Sequence, residues 1–211
     1  MLSDLFLPAA IPAVIAAVSG AVIFGLTQWA NHKLAKMRFR FDQELAEKKF
    51  DLDVKLADQK RRQDFAILAL TTFHEINDGM KSVRARFFSA SESPETPFAN
   101  LTPKQQREHT RDLIIKRLKR HSDKIASLTA LQYQSIALFG KDGAQPFHEF
   151  FNALNKFHMF LDDYIELDDR DILVKIRKEI FGGYGDDEVG LGLKASLEKI
   201  EALCRPILEK P

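Results

Sequence analysis

From Leu5 to Ala30 the chain carries no charged side chain, and Ile11, Val14, Ile15, Val18, Val22, Ile23, Phe24 and Leu26 give that stretch an apolar surface. A helix rises about 1.5 Å per residue, so a run of this length can cross a hydrocarbon core roughly 30 Å thick. The pattern predicts a transmembrane helix over residues 5–30. A cleaved secretory leader would need a basic start and a shorter apolar run. Met1 to Asp4 hold neither Lys nor Arg. Trp29 stands where an interfacial ring would sit, and Lys33, Lys36, Arg38 and Arg40 follow it closely. Cations gather on the cytoplasmic side of a span, so the expected topology is a cell-membrane protein with residues 1–4 outside and the body inside. Ala13, Ala17, Ala21 and Gly25 recur every four residues, a small-residue face that lets a second helix approach closely.

After Trp29 there is no Gly or Pro until Gly79. Leu34, Met37, Phe41, Leu45, Leu52 and Leu56 recur at spacings of three, four or seven, interrupted by Lys48 and Lys49. Glu44 with Lys48, Asp51 with Lys55 and Asp58 with Arg62 place acid four residues before base, the favourable order on a helix. These features predict a helical stalk over 31–64, suited to a short coiled coil. Beyond the polar run at 57–64, Phe65, Leu68, Thr72, Ile76, Met80, Val83 and Phe87 share one face, where the helix should enter a packed body.

Ser91, Ser93, Pro94 and Pro97 mark a loop over 89–101. Thr102, Pro103 and Gln105 form a capping-box arrangement that opens a helix running to Gly140. Pro146 begins a ring-rich helix carrying Phe147, Phe150, Phe151, Leu154, Phe157, Leu161 and Tyr164. Ile172, Leu173, Ile176 and Ile180 continue helically to Gly182, and a glycine-rich loop over 182–192 precedes a last helix with Leu193, Leu197, Ile200, Leu203 and Cys204, closed by Pro206. No stretch shows convincing strand alternation. The expected fold is all-α: one transmembrane helix, a long stalk helix, and a cytoplasmic bundle of four or five helices over 65–211.

Composition narrows what that bundle can meet. With 31 basic and 30 acidic residues, no global field pulls the chain toward nucleic acid, so an electrostatic partner must be met by a local patch. The single cysteine excludes an intramolecular disulfide. Seventeen phenylalanines against one Trp and three Tyr point to ring packing that needs no hydrogen-bond partner.

Candidate chemistry is sparse. His74, Glu75 and Asp78 resemble a fragment of the zinc-binding helical motif, but the second histidine is missing. His148, His158 and Asp162 offer no third ligand at a fixed spacing, and the acidic run from Asp162 to Asp171 lacks the loop of a calcium-binding hand. The glycines at 182–192 follow a helix and have no Gly-Lys-Ser/Thr ending to cradle phosphate. Arg117 and His121 are too close for the Arg-to-His spacing of small all-helical ribonuclease domains. No catalytic, metal or cofactor residues are expected. The densest basic stretch, 104–124, makes Arg117, Arg120 and Lys124 the candidate contacts for an anionic lipid or nucleic acid. The sequence therefore reads as a non-enzymatic, self-associating membrane protein whose bundle binds a protein partner as scaffold, sensor or membrane-acting effector. A module gripping lipid or nucleic acid through the basic helix is the alternative.

Overall fold

The computed structural model describes residues 7–87, 92, 98–182 and 187–209, with side chains described at 19, 20 and from 22 onward in those ranges. The described residues are almost all helical, without a strand, and build a helical bundle. Contacts divide the chain into two compact units, Met1–Asp58 and Gln59–Pro211.

Helix α1 spans Leu7–Val83. In the first unit every residue whose side chain is described is exposed, including Val22, Phe24, Leu26 and Trp29, each more than half accessible. Among the described residues no helix is long and apolar enough to cross a membrane. Residues 1–4 and the side chains of Ala13, Ala17 and Ala21 lie outside the description; Gly25 is exposed.

In the second unit α1 buries Phe65, Ala66, Ala69, Thr72, Phe73, Ile76, Met80 and Val83. Five of the seven residues of the expected face are buried; Leu68 is 53% exposed, and Phe87, past the end of the helix, is 89% exposed, while Ala66, Ala69 and Phe73 widen the buried side. The Phe73 ring meets Phe147 and Phe150 edge-on at 5.2 and 6.2 Å.

A short 3-10 turn, Phe98–Asn100, precedes α2, Pro103–Lys119. The capping box at its start forms as the sequence implies: the Gln105 amide donates to Thr102 Oγ1 at 3.3 Å, and Thr102 N–H donates to Gln105 Oε1 at 2.9 Å. The single helix expected up to Gly140 is instead two. Amides of Arg120 and His121 donate to the carbonyls of Arg117 and Leu118, three residues back, which tightens the chain and redirects it into α3, Ser122–Phe139.

After a 3-10 turn at Lys141–Ala144 come α4, Gln145–Glu166, and α5, Arg170–Phe181. Asp169 caps α5 by accepting from the amides of Asp171 and Ile172 at 2.8 and 3.2 Å. Helix α6, Glu188–Leu208, begins inside the stretch expected to be loop and runs past Pro206. Asp187 supplies its cap, accepting from Gly190 N–H at 2.6 Å. Gly192 faces α4, where an added Cβ would lie 2.8 Å from Ala153 Cβ, so a bare backbone lets these two helices touch. Pro206 falls in the last turn, where a missing amide costs a single helix bond. Helix α4 is the hub, with Phe147, Phe157 and Leu161 at most 1% exposed. Cys204 is fully buried, and that burial pushes its thiol up to about 11, leaving it unreactive at neutral pH.

Candidate anion-binding cleft

Helix α5 carries two faces. Ile176 and Ile180 point into the core. Beside them, Arg170, Leu173, Val174, Arg177, Lys178 and Phe181 recur at helical spacing and line a cleft of 870 Å³. Pro103, Gln106, Arg107 and Thr110 of α2 form the opposite wall, and Arg86, Phe98, Tyr164 and Lys175 complete it. Six cationic side chains thus converge on one concavity with no Asp or Glu among the described lining residues. Apolar surface from Phe98, Leu173, Val174 and Phe181 sits among them.

Hydrogen bonds hold the α2 wall in place. Gln106 Nε2 donates to the carbonyls of Phe98 and Leu101 at 2.7 and 3.1 Å, and the Thr110 hydroxyl donates to the Gln106 carbonyl at 2.8 Å. Arg107 is 9% exposed; its Nη2 donates to Asp168 at 2.5 Å, while its Nε is buried without a partner among the described atoms. At the rim, Arg86 Nη2 donates to the Gly182 carbonyl at 3.2 Å. Asp168 already balances Arg107; the like charges of Arg170, Lys175, Arg177 and Lys178 on α5 repel one another in this half-enclosed, partly apolar space, and a bound anion relieves that repulsion.

The residues singled out from sequence fall elsewhere. Arg117 is buried: its guanidinium grips Glu92 through Nε and Nη2 at 2.9 and 2.6 Å and donates to the Ala85 and Phe87 carbonyls at 2.9 and 2.8 Å. The Glu92 carboxylate raises its pKa further above the ordinary guanidinium range. Arg117 therefore ties Ala85, Phe87 and Glu92 to α2 and is not presented to a ligand. Lys124 pairs with Glu75 at 2.8 Å on the surface, and Arg120 is exposed. The structure does not bring these three into a common site. Trp29, Lys33, Lys36, Arg38 and Arg40 are all exposed in the first unit, with Lys33 Nζ 5.0 Å from the Trp29 ring centroid.

The zinc-motif fragment is dispersed as well. His74 Nε2 is 3.3 Å from Glu201, and Asp78 pairs with Lys81, whose hydrogen bond holds the Asp78 carboxyl below its usual range. Among the described residues no three His, Cys, Asp or Glu side chains are grouped to hold a metal ion. Part of the acidic run is drawn onto α2, Asp168 by Arg107 and Asp162 by Arg111 at 3.4 Å.

Sequence reading missed the cleft because it followed the basic density of α2, whose arginines largely turn inward. The signal lay in α5. Arg170, Arg177 and Lys178, with Val174 between them, form a cationic stripe next to the apolar one, too rich in charge for a face meant only to pack. No family model matches this chain, and no curated protein or solved structure matches it either.

Proposed function

We propose that this chain is a membrane-anchored, self-associating helical protein whose bundle senses a phosphate-bearing ligand bound in the α2–α5 cleft. The observation that carries the reading is the convergence of six cations, four of them on α5, on an 870 Å³ concavity that also presents apolar side chains. That volume lies within the ordinary range for small-molecule sites, and such sites combine apolar walls with a few placed charges. The lining offers charge to hold an anion and, among its described residues, no carboxylate, imidazole or thiol to move a proton. Binding, and not catalysis, is the chemistry these side chains suit. A phosphate ligand takes the place of the expected protein partner in this reading because the cleft is concave and singly charged in sign, where a protein partner would favour a broader face.

Calorimetric titration of the full-length, detergent-solubilised protein with ADP and with pyrophosphate tests the proposal. Saturable binding is expected, weakening at least tenfold in the paired variant Arg177→Glu with Lys178→Glu and falling as salt rises. Both positions lie on the cleft side of α5, away from the buried isoleucines. Equal binding by the variant, or none by the native protein at millimolar anion, would sink the cleft.

Anchoring rests on the uncharged run Leu5 to Ala30, the cations that follow it, and the uncovered apolar surface at 22–29. Exposed apolar area of that kind calls for lipid or protein cover. An arginine at mid-span costs about 2.5–3.5 kcal/mol of insertion free energy. Native protein should stay with membranes through alkaline carbonate washing, and Ile15→Arg combined with Val18→Arg should move most of it to the soluble fraction. Native protein that is soluble without detergent would refute the anchor.

A further inference from the structure

Three arginines are buried among the described residues, Arg84, Arg107 and Arg117, at 9%, 9% and 6% exposure. Burial strips water from a guanidinium, and each N–H donor then left without an acceptor costs free energy. Two of the three are well supplied. Arg84 donates to the carbonyls of Ile180 and Glu179 and to the Asp187 carboxylate. Arg117 uses all three nitrogens, and the edge formed by its Nε and Nη2 takes both oxygens of Glu92. On Arg107 the same edge is half used: Nη2 donates to one oxygen of Asp168, while Nε is buried and bonds nothing. That is the one hydrogen bond its side chain makes among the described residues. Of the three, Arg107 alone lines the α2–α5 cleft. His109 Nε2 and Arg111 Nε are also buried without partners, but neither residue lines the cleft.

We propose that Arg107 seats the ligand's phosphate and that Asp168 is the group the phosphate displaces. The inference rests on the cleft reading above and gives the anion a place and a competitor within it. A phosphate presents two oxygens at the spacing of the guanidinium fork, so it satisfies Nε and Nη2 together, where Asp168 satisfies Nη2 alone. The exchange costs the carboxylate little. Asp168 is 88% exposed against 11% for Arg107, so on release it returns to water it has scarcely left. An ion pair with so exposed a member holds weakly. Charge favours the exchange too, since a terminal phosphate carries more negative charge than the carboxylate it replaces. The cations of α5 form the facing wall, so a phosphate on Arg107 draws on both helices.

Calorimetric titration of the full-length, detergent-solubilised protein with pyrophosphate tests the exchange. Arg107→Lys keeps the charge and removes the fork, and should weaken binding at least tenfold. Asp168→Asn removes the competitor from an exposed position and should tighten binding at least threefold. If Asp168 served merely to hold Arg107 in place, its loss would weaken binding instead. Melting curves without ligand establish that both variants fold. Native affinity in Arg107→Lys would overturn the seat and leave the cleft standing. Unchanged or weaker binding by Asp168→Asn would overturn the exchange even if Arg107→Lys failed to fold. No binding by the native protein at millimolar pyrophosphate would overturn the cleft as well.

Discussion

Replacing Arg84 with alanine is expected to lower the stability of the bundle by about 3–5 kcal/mol, roughly 6–20 °C in melting temperature. Arg84 stands just past α1, and its guanidinium joins two other helix ends. Its Nε and Nη2 donate to the carbonyls of Ile180 and Glu179 at 3.1 and 2.9 Å, where the last turn of α5 has unpaired acceptors and partial negative charge. Nη2 also bonds Asp187, the residue that caps α6. The two side chains are 10% and 6% exposed. Truncation leaves the Asp187 carboxylate buried without its counter-charge, a cost larger than the net worth of the intact pair. Gly182 completes the arrangement: its φ is +63°, and an added Cβ would come within 3.0 Å of the guanidinium. Asp187→Asn keeps an acceptor for the Gly190 amide, so its loss should be clearly smaller than that of Arg84→Ala. Thermal unfolding followed by circular dichroism decides it. A melting temperature within 2 °C of the native value for Arg84→Ala would show that this junction contributes little.

Phe147→Ala should cost a comparable amount, about 3–5 kcal/mol, for a different reason. The ring is 0% exposed on α4 and meets Phe73 of α1 edge-on at 5.2 Å. Removing it forfeits its transfer free energy and leaves a cavity between two helices that other rings hold apart. Phe147→Leu restores most of the volume and should cost about 1.5 kcal/mol or less. Urea titrations should show midpoints falling in the order native, Leu, Ala with little change in slope. Equal midpoints for Leu and Ala would mean that the site collapses around the missing ring.

Helix periodicity was strongly legible where one face had a single job. The rings of α4, the capping box at Thr102 and the isoleucines of α5 could be read directly, because apolar spacing and cap chemistry are local properties of the chain. Legibility failed where a residue's role depended on what lay opposite. Leu68 and Ala69 are equally compatible with an apolar stripe, and the neighbouring helices selected the smaller one. Gly190 and Gly192 look like loop residues until Asp187 caps the helix and Ala153 requires a bare backbone.

Charge shows the same division most clearly. The order of basic residues along α2 is a property of the sequence, but their destinations are not. Arg117 reaches Glu92, Arg107 reaches Asp168, and the cations left to line a concavity come mostly from α5. The uncharged run at 5–30, the apolar spacing of the stalk and the all-helical composition of the bundle belong to the sequence alone, since each is a spacing within one helix. The cleft, the two buried arginine junctions and the break between α2 and α3 were decided by tertiary packing, which alone determines which side chains are desolvated together.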